Sequence, residues 1–131
     1  MILLDGIHTS YIPEYQPLYE GGKLDSIKLG PFLQFAKKAM HGEKQMIITH
    51  SSVFPGTFAS TTECTEYLIK SLGLIRNSVL QYGALGMQQV GEIKSGNLLI
   101  LSYAGNSAPD HVDHLHALRY FLEKFTSPPI D

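Results

Sequence analysis

The sequence contains no tryptophan and a single cysteine, Cys64. One thiol excludes an internal disulfide framework and fits a reducing, cytoplasmic compartment. Inside an apolar helical stretch it is expected to pack as a small buried residue. No apolar run is long enough to cross a bilayer. The first residues lack a basic segment followed by a long apolar one, so no signal peptide is expected. Positive charge is scarce and scattered, with 10 Lys and Arg against 12 Asp and Glu and a formal net charge of −2. That balance leaves no electrostatic footprint for nucleic acid. There is no internal repeat, low-complexity tract or linker. The 131 residues therefore form one α/β domain spanning 1–131, long enough to bury about two-thirds of its unfolded surface.

Residues 1–4 read as a short buried strand, with Asp5-Gly-Ile-His-Thr-Ser-Tyr11 as its polar exit loop. Residues 13–30 are irregular and carry Pro13, Pro17, Gly21 and Gly22. Loops of this length are usually functional or mobile. Tyr11, Tyr15 and Tyr19 recur through this region at a four-residue spacing. They either pack the loop onto the body or line a cleft, and Tyr11 is kept as a candidate substrate contact. Gly30-Pro31 is expected to open a helix that Gly42 closes, with Phe32, Phe35, Ala36 and Ala39 as its apolar stripe. Residues 44–49 form a second strand. Ser60 and Glu63 fit a capping box that starts the next helix, which runs to Leu72. Residues 74–86 show no dominant period. Residues 88–94 are strand-like, and Ser95-Gly96 turns them into a third core strand from Leu98. A last helix is expected over 110–125, with Val112, Leu115, Leu118 and Phe121 at helical spacing. Pro128-Pro129 closes the chain.

Buried strands alternating with helices imply parallel pairing through right-handed crossovers. The expected fold is a small, mostly parallel sheet with helices packed on it in three layers. The loops after its core strands then share one edge, where α/β sheets place their ligands. They carry Asp5 and His8, then His50, Ser51 and Ser52, then Asp110 and His111. Acyl transfer needs a nucleophile, a histidine to take its proton and a carboxylate to fix the imidazole tautomer. His111 suits the base and Asp5 the carboxylate, with His8, His50 and Ser51 as candidate substrate contacts. Each has a plainer alternative: Asp5 capping a turn, His111 merely exposed, His50 and Ser51 ordering loop backbone. No Gly-x-Ser-x-Gly elbow occurs, and the loop residues Ser10, Ser51, Ser52 and Ser107 lack its glycines.

The order of a strand ending in a carboxylate, a long insertion, helix, strand, helix, last strand and then histidine resembles the C-terminal half of an α/β-hydrolase. Ile2-Leu-Leu-Asp5-Gly-Ile-His8 resembles the strand after the nucleophile helix, where some members place the acid. Met46-Ile-Ile-Thr-His-Ser51 resembles the next strand. Leu98-Leu-Ile-Leu-Ser-Tyr-Ala-Gly-Asn106 and the His111-x-x-His114-Leu pattern resemble the last strand and its histidine. The resemblance implies hydrolysis of an ester or amide in a small-molecule substrate, without a cofactor. Asp5 would orient His111, with the two in hydrogen-bond reach and the 11–19 loop over them. It also implies that the nucleophile is not in this chain, which would make the polypeptide a fragment, an inactive relative or one part of an assembly.

Two other classes compete. Residues 110–116 gather Asp110, His111, Asp113, His114 and His116, and His111 and His114 at i,i+3 suit a shared metal ion. This stretch resembles the tail of the His-x-His-x-Asp-His signature of metallo-β-lactamase-like hydrolases, but Pro109 stands where its leading histidine belongs. The third class is a non-catalytic interaction domain. A sheet edge at residues 1–4 invites a homodimer or a partner subunit to cover the first strand.

Overall fold

The computed structural model describes residues 1–126. Along the chain run β1 (Ile2–Leu4), β2 (Tyr11–Ile12), β3 (Lys23–Leu24), α1 (Ser26–Met40), β4 (Met46–His50), α2 (Thr61–Leu72), β5 (Asn77–Tyr82), β6 (Gln88–Ser95), β7 (Leu98–Tyr103), α3 (Ala108–His116) and α4 (Leu118–Thr126). The main sheet has the order β1-β4-β7-β6-β5. β1, β4 and β7 are parallel, and β6 and β5 continue the sheet antiparallel. The class is α/β, but the sheet is mixed. Its parallel part stops at β7, because the turn before Leu98 folds β6 back as a hairpin partner. Gly96 makes that turn with φ +57 and packs under the end of α1, where an added Cβ would lie 2.1 Å from the Met40 carbonyl oxygen. Only glycine meets both demands.

Side chains alternate across the strands and so build two cores. Met46, Ile48, Leu98 and Ile100 join Leu29 and Ala36 of α1 and Leu68 of α2. Leu101 and Tyr103 turn the other way, onto Ala117 and Phe121. Helices thus cover both faces of the sheet. Cys64 is fully buried in the first core, and burial pushes its thiol up to about 12. It should react with a thiol reagent only after unfolding. Labelling of the native protein at the rate of the denatured chain would contradict that.

Several boundaries differ from expectation. Pro31 lies inside α1 rather than at its start. Its missing N–H removes the helical bond to the Ile27 carbonyl, in a turn where Ile27 is 86% exposed. The final helical stretch is two helices broken at Ala117, not one over 110–125, and it begins upstream of Asp110. Ser107 is the N-cap, and Asp110 is the third helical residue whose carboxylate returns to the Ser107 N–H. β5 falls in the stretch without a period because its residues are nearly all exposed and leave no burial pattern. Pro128-Pro129 lies outside the described residues. Among the described residues no helix is long and apolar enough to cross a membrane.

Candidate active site

β1 and β4 run parallel, so their carboxyl ends deliver Asp5 and Ser51 side by side. Asp5 takes a left-handed backbone, φ +49, which aspartate tolerates better than most residues. Its N–H extends the strand pairing to the Thr49 carbonyl oxygen at 2.9 Å. Its carboxylate is then met by four donors. Oδ1 accepts from the Ser51 N–H at 2.8 Å and from the Thr61 hydroxyl. Oδ2 accepts from the Ser51 hydroxyl at 2.5 Å and from His111 Nδ1 at 2.7 Å.

This environment keeps Asp5 ionised. Burial pushes its carboxyl pKa up, but the bonds from the Ser51 and Thr61 hydroxyls, the Ser51 N–H and His111 outweigh that, and the net value is below the ordinary one. The carboxylate also lies at the first turn of α2, the positive end of that helix. An ionised carboxylate only accepts, so Nδ1 of His111 carries the proton in this bond, and in the neutral ring Nε2 is the nitrogen with the lone pair. The His111 side chain is 45% exposed, and Nε2 makes no hydrogen bond among the described residues.

A cavity of about 180 Å³ opens beside the pair. Asp5, His111, Thr61 and His8 form its polar side, and Val53, Pro55 and Phe58 its apolar side. The nearest partner of His8 Nδ1 is the Ala59 carbonyl oxygen at 3.3 Å, so Nδ1 is the protonated nitrogen there. The His8 ring meets Phe58 edge to face, with centroids 5.1 Å apart.

The other expected site residues do not reach this cavity as substrate contacts. Ser51 is fully buried, and its hydroxyl is donated to Asp5. It anchors the carboxylate instead of facing a ligand. His50 is buried on the α2 side of the sheet, against Ser102 at 2.7 Å and Thr62 at 3.1 Å. Tyr11 is turned into the core by the β2–β3 pairing, with its hydroxyl on Glu63 at 2.6 Å. Tyr15 and Tyr19 are exposed, and Tyr19 rests on Phe54 rather than over the cavity. Ser10 accepts a bond from Lys28, and Ser107 caps α3. None of these hydroxyls meets His111.

The histidine cluster is split by the helix that carries it. His111 turns to Asp5, whereas His114 is buried, with Nδ1 2.6 Å from the Thr49 hydroxyl. Asp110 is engaged by the Ser107 cap. Among the described residues no group of three or more such side chains converges on a metal position.

Thr61 was not singled out from sequence, although Ser60 marks the start of its helix. Nothing local signals that the residue after the cap will bond an aspartate 56 positions away. Val53 and Phe58 likewise show no pattern, because they sit on a loop without periodicity. No family model matches the chain, and no curated protein and no solved structure matches it.

Proposed function

We propose that this chain carries the acid–base part of a site that hydrolyses esters or amides, arranged as in the C-terminal half of an α/β-hydrolase. The observation that carries the proposal is the 2.7 Å bond between buried Asp5 and half-exposed His111. Asp5 holds the Nδ1 proton, so Nε2 accepts the proton of an attacking oxygen as that oxygen bonds to the carbonyl carbon. The imidazolium formed is stabilised by Asp5 and then returns the proton to the leaving oxygen or nitrogen. The described residues set no hydroxyl against Nε2, and that place is taken by water or by a hydroxyl from another segment or subunit. The same proposal has β1 covered by a homodimer mate or a partner subunit, since it is an edge strand whose residues are only half buried. Light scattering should then give more than one chain per particle, and a monomer would remove this part.

An activated ester demands least of the attacking group, so hydrolysis of p-nitrophenyl acetate tests the chemistry. The purified chain should exceed an equal concentration of free imidazole. His111→Ala should return the rate to background, and a chelator should change nothing. A rate indifferent to His111→Ala would overturn the proposal. Loss on chelation would replace it with the metal-dependent alternative.

A further inference from the structure

We infer that the cavity beside His111 receives a small, neutral, apolar group of the substrate, a phenyl ring or a short alkyl chain next to the scissile carbonyl. The inference rests on the proposed hydrolytic role, and it adds the class of substrate. Size comes first. A water molecule's share of liquid volume is about 30 Å³, so 180 Å³ accommodates roughly half a dozen heavy atoms. Wall chemistry comes second. Val53, Pro55 and Phe58 give one side an apolar surface, and Phe58 remains 40% exposed and able to stack.

Charge decides the rest. No lysine or arginine lines the cavity, so a carboxylate or phosphate group would meet no cation there. The one carboxylate, Asp5, already accepts four hydrogen bonds. A carboxylate offers about four acceptor sites, so none remains for an ammonium or amidinium group. The polar rim consists of two imidazoles whose Nδ1 protons are held elsewhere, by Asp5 and by the Ala59 carbonyl. Their Nε2 atoms offer acceptors suited to the N–H of an amide beside the scissile carbonyl.

Three isosteric probes separate these possibilities without requiring turnover: benzamide, benzoate and benzamidine. They are titrated at millimolar concentration into the isotopically labelled chain and followed by NMR. Benzamide should shift the Val53 methyls and the His8 and His111 ring protons, and the two charged probes should bind at least about tenfold more weakly. Val53→Trp should fill the space and weaken benzamide by at least about tenfold, with the remaining spectrum unchanged. Phe58→Ala should weaken it roughly three- to tenfold. Val53 methyls that do not move, charged probes that bind as well as benzamide, or normal binding by folded Val53→Trp would each overturn the inference. His111→Ala separates it from the catalytic proposal. Benzamide binding kept by this variant, beside an esterase rate that never depended on His111, would leave the pocket standing and remove the mechanism.

Discussion

Replacing Asp5 with alanine should lower the unfolding free energy by about 3–5 kcal/mol, the range for breaking a buried charged hydrogen-bond network. The change strands the Ser51 N–H and the Ser51 and Thr61 hydroxyls, all of which now donate to a carboxylate that is 1% exposed. Each unsatisfied buried donor costs about 1–3 kcal/mol. Alanine also tolerates the φ of +49 less well than aspartate. His111→Ala makes the informative contrast, because it removes only one of the four donors and that side chain is half exposed. It should cost less than about 1 kcal/mol. Urea unfolding of both variants, with unchanged denaturant slope, is the measurement. Asp5→Ala within about 1 kcal/mol of the parent would mean that the carboxylate does not organise this edge. Equal losses from both substitutions would mean that His111 is built into the scaffold rather than free for chemistry.

Asp5 and His111 are 106 residues apart, yet strand-end logic placed them together. The apolar runs of β1, β4 and β7 are flanked by turn residues, and alternation with helices implied parallel pairing. Parallel strands put their carboxyl ends on one edge, so loop contents converge without any local motif. The capping box at Ser60 was equally readable, since its two residues lie three apart and satisfy each other. What escaped depends on contacts that composition does not encode. The four-residue spacing of Tyr11, Tyr15 and Tyr19 suggested that they pack the loop onto the body or line a cleft, but pairing of Tyr11 with Leu24 buried the first and left the others in solvent. Ser51 looked like a substrate contact because it follows a strand. Its hydroxyl is instead held by the aspartate that leaves the neighbouring strand. The antiparallel arm was half legible: β6 alternates over a buried face, whereas exposed β5 has no pattern to read.

Lowering the pH from 7 to 4 should remove roughly 3 kcal/mol of stability through His50 alone. Its hydrogen bonds define its state. The Thr62 hydroxyl donates to the Ser51 carbonyl oxygen at 2.6 Å, so it accepts from His50 Nδ1–H. Nε2 is then the acceptor, taking the Ser102 hydroxyl at 2.7 Å and facing the Arg76 guanidinium at 3.4 Å. A second proton on Nε2 would set its N–H against the Arg76 N–H donor, beside a fixed positive charge. Burial first, and Arg76 second, hold the folded pKa down to about 4, against an ordinary value of 6.5. That gap is worth roughly 3 kcal/mol. The sign follows from proton uptake. Below the ordinary value the unfolded chain binds a proton that the folded chain refuses, so stability falls as pH drops from about 6.5 toward 4. His114, lowered mainly by burial, acts in the same direction. Asp5 contributes stability above the ordinary carboxylate value, and that is lost only in stronger acid, as pH falls through its depressed folded value. Urea unfolding at pH 7, 5 and 4 should therefore show a steep decline in the parent and a much flatter one in His50→Gln. The glutamine sacrifices some packing at pH 7 but cannot take up the proton. If the variant keeps the parent's slope, the acid sensitivity belongs to His114 and not to the His50–Ser102–Arg76 contact.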